Sequence, residues 1–119
     1  MKVFVLKGDS YGDFDVKVEE TLMVASTKEK ANQVKRILDK FIQNECNEYA
    51  KKLGRDMYSD DLAFGFFLRN DEHMRNILIS SLSCCMQRHE ANDFVTLLVD
   101  KDIYCHKNVF TIEELFFYK

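Results

Sequence analysis

A chain of 119 residues, 46% of them hydrophobic, is long enough for one domain with its own core, and ten Phe, five Tyr and five Met supply that core without metal or cross-links. Twenty acidic against seventeen basic residues, a net charge of −3, build no phosphate-attracting surface and fall short of a DNA mimic, so nucleic acid is not an expected partner. The opening "MKVFVLKGDSYG" has too short an apolar run for a secretory core, and no later stretch has the length of a membrane span, so the expected setting is cytoplasmic, with four free cysteines.

"KVFVLKGD" and "DVKVEETLMVAS" are rich in β-branched and aromatic residues, and the turn-like "GDSYGDFD" between them predicts a hairpin. Gly8 and Gly12 are the expected turn glycines, free to take positive φ, among aspartates that favour turns by bonding their own backbone. At "STKEKANQVKRILDKFIQNECNEYAKKLG" the period changes. Ala31, Val34, Ile37, Leu38, Phe41, Ile42, Cys46, Tyr49 and Leu53 recur on one helical face, predicting a long amphipathic helix bent near residues 44–47. Ser26 with Glu29 fits a capping box at its start, and Gly54 a left-handed stop.

"SDDLAFGFFLRN" predicts a short apolar helix capped by Ser59 or Asp60. After Asn70, a further candidate cap, the spacing of Met74, Ile77, Leu78, Leu82, Cys85 and His89 predicts one helix running to residue 90. "DFVTLLVDKDIY" reads as a helix capped by Asn92, although a buried strand has the same short apolar run. "NVFTIEELFFYK" returns as a strand to the N-terminal hairpin. The expected fold is a single α+β domain: an antiparallel sheet of three or four strands, helices packed on one face, and residues 55–105 a helical insertion.

Chemistry-bearing residues cluster in "SLSCCMQRHE". On a helix Cys85 and His89 lie one turn apart, and Cys105 with His106 could complete a tetrahedral metal set or a thiol–base pair. The C-x-x-C spacing of such sites is absent, and Cys85 already fits the apolar stripe, so core packing is the expected role and no cofactor is implied. Asp9, Asp13, Asp15 and Glu20 gather oxygens around the hairpin turn, but Phe14 stands where a calcium loop needs glycine. Glycine-rich phosphate loops and nucleophile elbows are absent from the sequence, and Lys28, Lys30, Lys35, Arg36, Lys40, Lys51 and Lys52 form a solvated helix face interrupted by Asp39, Glu45 and Glu48. The main sign of interaction is the aromatic excess of "AFGFFL" and "FFYK": whichever of Phe64, Phe66, Phe67, Phe116, Phe117 and Tyr118 lie outside the core are the expected partner anchors.

The succession of "KVFVL", the acidic hairpin, "VASTKEKANQVKRIL" and the closing "FTIEELFFYK" resembles a plan of small uncharacterised bacterial and bacteriophage accessory proteins, over roughly the first 45 residues and the last ten. That resemblance implies a non-enzymatic binding module that occupies a host protein or complex, such as a bacterial defence assembly, in the host cytoplasm. A metal- or thiol-dependent enzyme using the cysteines and histidines is the alternative from another class. A self-associating protein built on the terminal strand is the third.

Overall fold

The computed structural model describes residues 1–11, 17–54, 63–69, 71–105 and 109–116. Strands β1 (Lys2–Tyr11), β2 (Lys17–Ala25) and β3 (Phe110–Phe116) form an antiparallel sheet in the order β2-β1-β3, so the closing strand returns beside the first and both outer strands are edges. Helices α1 (Lys28–Phe41), α2 (Asn47–Lys52), α3 (Phe64–Leu68), α4 (Glu72–Leu82) and α5 (Arg88–Asp100) complete an α+β fold with the helices against the sheet. No helix among the described residues is long and apolar enough to cross a membrane.

The hairpin is longer than its sequence suggests. β1 pairs with β2 from Phe4 opposite Ala25 to Tyr11 opposite Lys17, which places Gly8 inside the strand; Gly12 lies outside the described residues. Gly8 serves close packing rather than turning: a Cβ there would stand 3.0 Å from Leu22 Cδ1, 3.1 Å from Ile103 Cγ2 and 3.3 Å from Phe110 Cε1. Opposite Leu6 and Lys7 the register slips by one residue. A bulge of this kind sets two successive side chains on one face, and Leu22 joins the core while its neighbour Met23 packs against it.

Strand alternation divides β1 between two surfaces. Leu6 belongs to the main core cluster together with Phe110, whereas Val3 and Val5 are buried outside that cluster. Lys7 shares their face, bridging Glu19 at 3.7 Å and Glu113 on the two flanking strands.

Thr27, not Ser26, caps α1: its extended backbone lets Oγ1 accept the Lys30 amide at 3.3 Å, so Glu29 falls one position short of a capping box. A π-helical turn, Ile42–Cys46, joins α1 to α2 where the bend was expected. It shifts the helical phase by one residue. Cys46 and Ala50 become fully buried and Glu45 stays at the margin, whereas an uninterrupted helix would turn Glu45 toward the core. Leu53, expected on the buried stripe, follows the last helical residue as the C-cap of α2 and is 52% exposed. Gly54 ends the element at φ 68°, the left-handed conformation anticipated for it.

The predicted helix through residue 90 is broken. Ser81 Oγ donates to the Ile77 carbonyl at 3.0 Å, Ser83 Oγ to Ile79 at 2.7 Å, and Cys84 Sγ to Ser81 at 3.0 Å. This local competition for helix acceptors accompanies a tight turn in which the Cys85 and Met86 amides both reach the Leu82 carbonyl. A new helix then starts after Gln87, absorbing His89 and carrying the 93–100 segment as helix, with Asn92 inside it rather than at its cap. Asp71, not named as a cap from the sequence, caps α4 by accepting the Met74 amide at 3.1 Å; the expected caps Asn70, Ser59 and Asp60 lie outside the described residues. Past α5, Asp102 takes φ 51°, Ile103 bridges to Ser10, and the Tyr104 amide bonds the Asp9 carbonyl at 3.0 Å, extending the sheet edge beyond β3.

Candidate functional site

The aromatic residues separate by burial. Phe64 and Phe67 are fully buried. Phe64 lies between Phe41 of α1, at 6.3 Å between ring centroids, and Phe110 of β3, at 6.0 Å, so it joins helix to sheet and cannot anchor a partner from that position. Phe67 packs on Tyr49 at 5.8 Å. Phe66 is 41% exposed and Phe116 59% exposed, on separate elements: Phe66 leans on Tyr49 of α2, and Phe116 ends β3 beneath the Lys2 ammonium. Phe117 and Tyr118 lie outside the described residues.

The sulfur and imidazole candidates are scattered by the helix break. Cys85 sits half-buried in the α4–α5 turn, and His89 is exposed in the first turn of α5, so the one-turn spacing expected for the pair does not exist. Cys105 is fully buried beside Cys46, and burial pushes its thiol well above the ordinary value of 9.0, with the Cys46 side chain adding to the rise. Burial also raises Cys85, followed by the influence of Cys84. A raised thiol is a poor nucleophile at neutral pH. His106 lies outside the described residues, and among the described residues no three His, Cys, Asp or Glu side chains converge on a common point.

A groove of about 420 Å³ lies instead between the β2 edge and α5. Leu22 and Met23, turned to one side by the bulge, form part of its lining with Phe94 and Leu97 of α5, and Met86 enters from the α4–α5 turn. Val24, 59% exposed, borders it along the strand, with its side chain on the face of its pairing partner Val5. Lys30, Glu90 and Asp93 bring charge to this lining, and among the described residues none of the three side chains makes an ion pair. β2 has β1 as its single strand neighbour in the described sheet, and no backbone hydrogen bond outside that ladder reaches Leu22, Met23 or Val24 among the described residues. An edge strand directs alternate N–H and C=O groups away from its neighbour, so these polar groups stand beside an apolar trough.

None of the groove residues was among the expected anchors. The signal for its helical wall was present: Glu90, Asp93, Phe94 and Leu97 follow helical spacing, which places two carboxylates and two apolar side chains on adjoining stripes. That this stripe stays uncovered depends on β2 being an outer strand, a property of the strand order. Comparison with family models, with curated proteins and with solved structures finds no match to this chain.

Proposed function

We propose that the protein is a non-enzymatic protein-binding module whose docking site is the groove between β2 and α5. The observation that carries this reading is the coincidence of an unpaired strand edge with an apolar trough. The exposed backbone offers directional hydrogen bonds, and the trough offers apolar burial, the two contributions that strand-mediated recognition combines. No element of this site asks for a nucleophile or a metal. The narrower expectation, that the partner is a host protein of a bacterium and the module an inhibitor of a defence complex, is supported by the resemblance in strand and helix order.

Affinity capture with the intact protein, run beside Met23→Lys, tests the proposal. Met23 is half-buried and lines the groove, so the variant should keep its fold, read by circular dichroism, while replacing apolar surface on the strand side with a cation. The expected result is a stoichiometric partner retained by the parent protein and lost by the variant. Retention by the folded variant, or turnover of a small substrate without any partner, overturns the reading.

Self-association through β3 is the competing proposal, favoured by Leu115 and Phe116, 36% and 59% exposed on a free edge. Light scattering over a concentration series distinguishes it: a mass that doubles with concentration and returns to monomer in Phe116→Lys supports pairing of copies.

A further inference from the structure

We infer that the occupant of the groove is a short extended segment of another protein, added as a strand to the free edge of β2 and carrying Lys or Arg beside an apolar side chain. This inference rests on the binding-module reading and specifies the chemistry of its partner. Three observations lead to it. The unpaired edge of β2 calls for a ligand with alternating donors and acceptors at strand spacing, which an extended polypeptide has and a helix, whose backbone groups are used internally, has not. Leu22, Met23, Phe94 and Leu97 lie beside that edge, so side chains on one face of the added strand meet an apolar surface. The bulge opposite Leu6 and Lys7 interrupts regular pairing and keeps the added strand short.

Charge decides the remaining property, the Lys or Arg side chain. Glu90 and Asp93 are exposed on α5, and Lys30 is the cation of the same lining among the described residues, so the rim carries an acidic excess. An extended segment with Lys or Arg reaching toward α5 would pair with that rim, and Arg would do so through two parallel hydrogen bonds to one carboxylate. A second copy of this chain is a poorer match. Its two edge strands carry Glu19 and Glu20 on β2 and Glu113 and Glu114 on β3, all engaged by lysines of their own molecule, so either strand would bring carboxylates to a carboxylate rim.

The probe is a fluorescent eight-residue peptide with threonine at every second position and valine and arginine taking turns at the positions between, so that valine and arginine share one face, titrated into the intact protein by anisotropy. Its controls are the same peptide with glutamate for arginine, and the same peptide N-methylated on every second backbone nitrogen along one edge or the other. The expected result is arginine-peptide binding about tenfold tighter than glutamate-peptide binding, with that preference reversed in the E90K/D93K double variant. Methylation of the edge that faces β2 should abolish binding, and methylation of the opposite edge should leave it intact. Equal binding of the two charge forms, or indifference to both methylation patterns, overturns the inference. A captured partner that depends on Met23 but is not displaced by the arginine peptide also overturns it, while leaving the binding-module reading standing. Because peptide binding is read on purified protein, it does not depend on whether capture yields a partner.

Discussion

Gly8 occupies a point where three apolar atoms from β2, β3 and the 101–105 segment close over the central strand. Gly8→Ala adds a methyl group 3.0 to 3.3 Å from Leu22, Ile103 and Phe110, closer than carbon contacts allow without movement. Overpacking of this kind costs about 1–3 kcal/mol, so the urea midpoint should fall at an unchanged slope. An unchanged midpoint would mean that the surrounding strands yield freely. Cysteine environments make a second prediction at this scale, because accessibility and thiolate fraction govern alkylation together. Iodoacetamide at pH 8, followed by peptide mass spectrometry, should label exposed Cys84 first and half-buried Cys85 more slowly. Cys46 and Cys105, both fully buried, should react only after denaturant is added. Rapid native labelling of Cys105 would contradict its place in the core.

Two phenylalanines of α3 show how one short element divides its work. Phe64 joins Phe41 to Phe110 with no exposed surface, so Phe64→Ala should cost about 3–5 kcal/mol. Phe66, 41% exposed and touching Tyr49 and Phe67 by ring edges, should cost about 1 kcal/mol when changed to Ala. Equal losses in chemical denaturation would show that α3 is not oriented as described. The elements themselves were largely legible, because strand and helix periods are local properties: both hairpin strands, the first long helix with its bend and Gly54 stop, and the returning strand follow from residue spacing. Gly8 was misread because a glycine among aspartates signals a turn, whereas its role is fixed by Leu22, Ile103 and Phe110, distant in sequence. The helix break after Leu82 was missed because Cys85 and His89 fit the apolar period, while serine and cysteine side chains bond the carbonyls that a continuing helix would use. Phe94 and Leu97 were legible as a helical stripe, but their role in a groove was not, since the opposite wall comes from β2 and its outward edge from the sheet order.

The molecule extends over 51, 34 and 20 Å along its principal axes, and the shortest dimension fits one sheet with a layer of helices on one face. On the opposite face Val3 and Val5 are sheltered, and Lys7 lies between Glu19 and Glu113, so charge crosses the central strand there. This arrangement, with the buried thiols, gives stability a dependence on alkaline pH. Lys7 holds its proton above the ordinary value of 10.5, chiefly through its hydrogen bond to Glu113. Burial raises Cys85 and, more strongly, Cys105 above 9.0. In all three groups the folded state binds the proton more tightly than the unfolded chain, so their contribution is complete below the ordinary values and is lost as pH rises through the folded ones. The urea midpoint should therefore begin to fall near pH 9, as thiols ionise in the unfolded chain, and fall further above 10.5, as its lysine loses the proton that folded Lys7 keeps. Cys105→Ala should flatten the first part of this decline and Lys7→Met the second, whatever each does to stability at pH 7, because the slope counts protons and not contacts. A midpoint that stays level or rises between pH 8.5 and 11 would place these thiols in water and separate Lys7 from Glu113.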